Sequence, residues 1–294
     1  MLLSARALIL LLLPCFLGTC ARALPYPKTV RLPPQLKEAS GLVIDGENYR
    51  FHNDSGDGPY VYTTDRIGQI KYVDTLAADA HDYEDITRDP AGNLYLADTG
   101  NNRGKRTDLR IYRYNRTSRR TDTIKFHYPG QDGGGRDAPS NYDCEAMVYQ
   151  GGYLHLFTKD QLGGKKQFNI YHFRVPASPG DYAAELIDSL YLPRRVVTAA
   201  ALDSVNKQLV LTSYSFKMVL GIIPTSAASL ITISDYPAGR FLSGDLRRQN
   251  LSWGAPTQFE AVDFLDDKWL YVFSEGTVVR RRAVGKLKRR KGGR

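Results

Sequence analysis

Cysteine is scarce in this sequence. There are three in 294 residues, and two of them, Cys15 and Cys20, stand in an apolar N-terminal segment. A chain left with Cys144 alone has no disulfide framework and must draw its stability from a sizeable core. Cys144 precedes Glu145 in a strand-like segment and has no obvious His partner, which fits a buried structural thiol better than a nucleophile. The five histidines are scattered, so no cluster at zinc spacing forms. There is no Ser-His-Asp order, no glycine-rich phosphate loop opening a helix and no separate nucleotide motif. The glycine run 133–135 has no helix after it and fits a flexible connection. Beyond the N-terminal segment no apolar run is long enough to span a bilayer, and no long amphipathic helical pattern is found.

The N-terminal segment has the form of a secretory signal: Arg6 near the start, an apolar run over 7–18, then Ala21-Arg22-Ala23 as an A-x-A cleavage site. This predicts residues 1–23 as leader and an exported chain, periplasmic or extracellular, from about Leu24. Leu17-Gly18-Thr19-Cys20 offers a second reading, a lipobox with the chain anchored at Cys20. The formal net charge is +9, and residues 280–294 hold nine Lys or Arg and no acid. This stretch is expected to be a solvated basic tail behind a propeller domain over 24–279, able to touch an anionic surface. The body lacks the interleaved basic and aromatic surface of a nucleic-acid binder, so no specific nucleic-acid contact is expected.

What the sequence has is tyrosine, 26 glycines and 15 prolines, distributed as in an all-β chain of short strands and many turns. It also has a repeated word. Glu38-Ala39-Ser40-Gly41, Glu84-Asp85-Ile86, Glu145-Ala146-Met147 and Glu260-Ala261-Val262 each open a strand with an acid and small or apolar residues. Val197-Thr198-Ala199-Ala200 repeats the shape with a hydroxyl. Repeats of this length with several short strands each are the mark of a propeller. The predicted strands are 39–45, 49–53, 60–64 and 70–74; 86–88, 94–97, 110–114 and 123–127; 146–149, 154–158, 168–174 and 185–191; 200–203, 208–213, 218–223 and 230–234; and 261–265, 269–274 and 277–281. The last repeat lacks a fourth strand, which 28–32 could supply, closing the ring and removing its edges. The expected fold is an all-β, five-bladed β-propeller of four-stranded antiparallel blades. The loop over 237–258 leaves six blades possible.

In such blades the loop entering the inner strand and the loop after the second strand share one face. The leading acids would therefore be rimmed by the polar loops 52–58, 97–103, 158–161, 213–215 and 274–276. Carboxylates and a hydroxyl converging on an axis repel one another unless a cation lies among them, and oxygen donors suit a hard cation. The structural alternative is that these residues anchor strand starts by accepting backbone N–H bonds. His81 and Asp82, beside Glu84, belong to the turn before the strand.

The order Glu-x-Ser, Glu, Glu, hydroxyl, Glu over five repeats resembles the soluble calcium-activated nucleotidase (apyrase) propellers. That resemblance implies Ca2+ held by Ser40, through its carbonyl, and by Glu84, Glu145, Thr198 and Glu260, with Asn53-Asp54-Ser55-Gly56 matching the family's Asp-rich loop. Thr198 replaces the family's Ser, and the family's longer substrate-binding segments are missing. Glu-Ala-Ser-Gly-Leu, His-Asn-Asp-Ser-Gly, Tyr-Glu-Asp-Ile and Val-Thr-Ala-Ala, over about 36–276, resemble exported bacterial propellers of unknown activity. Two functions follow as expectations. One is a calcium-binding propeller of the cell envelope that grips a small-molecule, glycan or protein ligand at its mouth. The other is a calcium-dependent hydrolase of phosphate esters, phosphoanhydrides or lactones, with Asp54 and Asp98 as candidate bases and Arg103 and Lys159 stabilising negative charge. A purely structural secreted domain is the third possibility.

Overall fold

Short strands with both faces apolar can be buried only by stacking sheets on either side, and the chain does this radially. The computed structural model describes residues 26–131, 142–159, 169–219, 223–254, 257–276 and 282–290. The expected leader, the glycine run 133–135 and the expected strand 277–281 lie outside these residues. After β1 (Thr29–Arg31) come five blades. The first is β2 (Ala39–Asp45), β3 (Asn48–Asn53), β4 (Tyr60–Thr64) and β5 (Ile70–Thr75). The second is β6 (Tyr83–Arg88), β7 (Leu94–Asp98), β8 (Arg110–Asn115) and β9 (Arg120–His127).

The third blade takes β10 (Cys144–Gln150), β11 (Tyr153–Thr158), β12 (Asn169–Pro176) and β14 (Glu185–Tyr191). Between its last two strands, β13 (Gly180–Ala183) leaves to pair in parallel with β9, giving the second blade a fifth strand that the repeat pattern does not foretell. The fourth blade is β15 (Val196–Asp203), β16 (Gln208–Val219), β17 (Ile223–Ser234) and β18 (Asp245–Gly254). The fifth is β19 (Phe259–Phe264), β20 (Trp269–Ser274) and β21 (Val284–Arg289), completed by β1 on the outside of β21. The ring is thus closed by its N-terminal strand, and there are five blades.

Two expectations are corrected. The segment 237–258 is not a loop with room for a sixth blade. It contains β18, because β16 and β17 form a hairpin of 12-residue strands and the outer strand falls later than 230–234. The basic stretch 280–294 is not all tail, since β21 lies within it, its inward residue Val284 buried and Gly285 leaving room for the Phe273 ring. Arg290 locks the end of that strand through Asp203 (2.7 Å), Gln208 and the Asp266 carbonyl.

Each of the five seams between blades holds one apolar cluster. Val43 and Val61 meet Ile86 and Leu96, and Ile111 and Phe126 meet Met147 and Leu156. Phe157 meets Leu211 and Ile231, Val210 and Leu230 meet Val272, and Phe51 meets Phe273. Alternate residues of an inner strand face opposite seams, so Met147 packs towards the second blade while Ala146 and Val148 pack towards the fourth. Cys144 is buried in one of these seams, its thiol pushed up to about 12 by burial, as expected of a structural residue.

Candidate metal centre

All five inner strands break register with their neighbours at the same level. The breaks fall between Ser40 and Val43, Tyr83 and Ile86, Cys144 and Ala146, Val197 and Ala199, and Phe259 and Ala261. A β-bulge leaves a residue out of the ladder and re-aims its side chain. Here the residues at or beside the bulges are Ser40, Glu84, Glu145, Thr198 and Glu260, one per blade and all buried. In the first blade Gly41 carries the strain, at φ +64° and with no room for a side chain against His52 and Ile86.

A second ring follows from the strand pairing. One residue past the partners of Ala39, Tyr83, Cys144, Val197 and Phe259 stand Asp54, Thr99, Lys159, Tyr214 and Glu275. A third lies two residues before each bulge: Glu38, Asp82, Asp143, Val196 and Gln258. Backbone bonds tie the two rings together, from Asp54 N to Glu38 O (3.0 Å), Lys159 N to Asp143 O (2.7 Å) and Glu275 N to Gln258 O (3.1 Å).

The result is an acidic mouth. Asp54, Asp82 and Glu84 bring carboxylate oxygens within 4.8 Å of one another, as do Asp54, Glu260 and Glu275, and Glu84, Asp143 and Glu145. Three buried carboxylate oxygens of the mouth, Asp54 Oδ1, Asp143 Oδ2 and Glu145 Oε1, stand outside the hydrogen-bond network, and of these Glu145 Oε1 alone has an ion-pair partner, Lys159. Gly100 passes so close to Glu84 and Asp82 that a Cβ there would overlap both carboxylates.

The electrostatics follow from packing so many acids out of water. Burial, then Glu260 and Asp82, pushes Asp54 up to about 7. Burial, then Glu260, takes Glu275 to about 10. Burial and Glu145 drive Glu84 well above the usual carboxylate range. Glu145 rises likewise from burial, although Lys159 opposes this. Lys159 Nζ lies 2.6 Å from Glu145 Oε1, with both side chains almost fully buried.

Of the residues expected at the metal, the structure brings Glu84, Glu145 and Glu260 to the mouth with Asp54 and Lys159. Thr198, expected through its hydroxyl, has other work: its Oγ1 donates to the Phe259 carbonyl (2.7 Å) and ties its blade to a neighbour. Ser40, expected through its carbonyl, uses its Oγ in the same way, donating to the Glu84 carbonyl (2.7 Å). Glu38 is partly exposed and pairs with Lys37. Asp98 is fully buried, accepting from the Asp82 N–H and pairing with Arg106 at 3.1 Å. Arg103 is exposed in the same loop.

Asp143 was missed from the sequence, Asp82 was read as turn, and Glu275 was given only a place on the rim. The signal was an acid two residues before the bulge: Asp82-Tyr83-Glu84 and Asp143-Cys144-Glu145 share it, since residues two apart lie on one face of a strand. Below the mouth, Asp85 Oδ2 accepts the N–H groups of Met147 (2.8 Å) and Ala200 (3.1 Å), and Asp263 accepts that of Ile44. Carboxylates that anchor inner strands thus exist as well, one level deeper.

No protein-family model matches the chain, and no curated protein sequence matches it significantly. Solved structures match it in fold. An α-L-arabinanase from Penicillium chrysogenum, complexed with arabinobiose, is 13% identical over 90% of this chain and 99% of its own, with a TM-score of 0.53. An exo-β-1,3-galactanase from Clostridium thermocellum is 11% identical, covering 90% of this chain and 63% of its own, TM-score 0.55. An endo-arabinase from Bacteroides thetaiotaomicron is 13% identical over 90% and 95%, TM-score 0.52. At these identities the likeness is one of fold alone: the chain is a five-bladed β-propeller with an acidic centre at one mouth.

Proposed function

We propose that the protein is an exported calcium-binding propeller that holds an oxygen-rich ligand of the cell envelope, a small molecule, glycan or protein, at its acidic mouth. One observation carries this: seven carboxylates converge there, two of them with buried oxygens lacking any partner. Buried charge of one sign is costly, and oxygen donors of this kind fit a hard divalent cation. Asp54, Glu84 and Glu260, with Asp82 and Glu275, would hold the ion. When bound, it would neutralise the mouth and offer its open positions to a ligand's oxygens. Export rests on the N-terminal leader pattern. Among the described residues no helix is long and apolar enough to cross a membrane.

A second reading, a hydrolase, is favoured by Asp54. A carboxyl held near 7 is matched to proton transfer at neutral pH. Asp98, already taken by Arg106 and the Asp82 N–H, positions the loop instead. Phosphate esters, lactones and the arabinan and galactan linkages named for the structural neighbours are the substrates to screen.

Thermal unfolding in EDTA and in millimolar calcium tests the primary reading. A ligand at a hundred times its Kd adds about 2.7 kcal/mol to stability, so a clear rise in Tm is expected. An unchanged Tm would remove the cation and return the acids to the role of strand anchors. Turnover of a screened substrate that is lost in EDTA would establish the hydrolase.

A further inference from the structure

We infer that Lys159 is a tethered cation that fills the Glu84–Asp143–Glu145 end of the mouth, so that a divalent ion is confined to the Asp54 side. This rests on the calcium reading above and specifies where in the mouth it applies.

Lys159 stands at the position where the first and fifth blades carry acids, Asp54 and Glu275. Its backbone is fixed, since it follows β11 directly and its N–H donates to the Asp143 carbonyl at 2.7 Å. Its side chain is buried, and the ammonium touches Glu145 Oε1 at 2.6 Å. A lysine ammonium held at this distance by a buried carboxylate is a positive charge set among the carboxylates of one end.

The three carboxylate groups are not equivalent in consequence. The group of Glu84, Asp143 and Glu145 already has a cation in direct contact, whereas neither group that shares Asp54 has an ion pair among the described residues, the charges of Lys159 and Arg106 acting there only from further off. A divalent ion bound by Asp143 and Glu145 would lie within a few ångströms of the ammonium, where like charges repel strongly in surroundings this poor in water. Asp143, buried and with Oδ2 unpartnered, is aimed into that end and would become available to a metal if the ammonium were removed.

Calcium stoichiometry of the full chain, by equilibrium dialysis and isothermal titration, tests this with Lys159→Met, Lys159→Arg and the double variant Asp54→Asn, Lys159→Met. Circular dichroism confirms that each is folded. The parent and Lys159→Arg are expected to bind a single ion. Lys159→Met should gain a second, and the double variant should keep the new ion while losing the original one. Lys159→Met binding a single ion with the parent's affinity would overturn the assignment and leave calcium binding intact, as would two ions in the parent. Absence of calcium from both proteins would overturn the assignment together with the calcium reading. Should Lys159→Met not fold, Lys159→Gln gives the same readout.

Discussion

At the scale of single residues, the mouth divides oxygen atoms between two tasks. Carboxylates gather with few donors, Asp143 Oδ1 accepting the Asn101 N–H (2.6 Å) while Oδ2 is left over, and hydroxyls bridge blades. Thr198 shows the division: its Oγ1 bonds the Phe259 carbonyl and the Thr212 hydroxyl, both in buried surroundings. Thr198→Val keeps the shape and leaves that carbonyl without a donor, a change that costs about 1–3 kcal/mol. The variant is therefore expected to lose stability in urea unfolding by that amount while binding calcium as tightly as the parent. Equal stability with weakened calcium binding would restore the hydroxyl as a ligand, as the family resemblance implies.

At the scale of elements, legibility depended on how far each blade kept to the repeat. The first three blades have short strands and polar turns, such as Asp89 to Asn93, where Asp89 caps both the N–H and the side chain of Asn93. Their strands fall near the positions read from sequence. The fourth blade has a hairpin of 12-residue strands, and its apolar pattern was divided wrongly between the third and fourth strands. The fifth hides β21 among basic residues. A strand whose outward residues are Lys and Arg looks like tail, because its contribution to the core comes from Val284 and from a glycine.

Gly285 is where that strand can be tested. A Cβ there would run into the Phe273 ring, which packs edge-on against Phe51 at 4.9 Å across the closing seam. Gly285→Val should cost about 1–3 kcal/mol by overpacking, read as a lower urea midpoint with an unchanged slope. A neutral effect would place 284–289 outside the blade. The candidate site was legible to a similar degree. The bulged Glu residues and Asp54 could be found because one residue type recurs at one strand position. Lys159 could be found only as a charge on the rim, because its partner Glu145 comes from the neighbouring strand through pairing that the sequence does not display.

At the scale of the whole molecule, two buried polar systems pull stability in opposite directions with pH. The first is the mouth. Carboxyls whose folded pKa exceeds the unfolded value, about 4, contribute stability that is complete at low pH. It is lost as pH rises through about 7 for Asp54 and about 10 for Glu275. The second is a buried relay between the third and fourth blades. Asp188 Oδ1 accepts from His172 Nδ1 (2.7 Å), His172 Nε2 accepts from His155 Nδ1 (2.8 Å), and Phe241 packs over both rings. Burial lowers both histidines, His155 to about 3. Groups kept neutral in this way contribute stability that is complete above about 6.5 and is lost as pH falls below it.

In EDTA, then, Tm should peak in mildly acidic solution and fall on both sides. Calcium binds the ionised carboxylates, so at saturation it should flatten the alkaline side and leave the acid side where the histidine relay puts it. A differential profile of this shape, from thermal unfolding between pH 4 and 9 with and without calcium, would locate the ion at the mouth. If the alkaline fall persisted unchanged at saturating calcium, the repulsion would belong to groups the ion does not reach. The carboxylates of the mouth would then share the role of Asp85 and Asp263, which fasten the inner strands one level below.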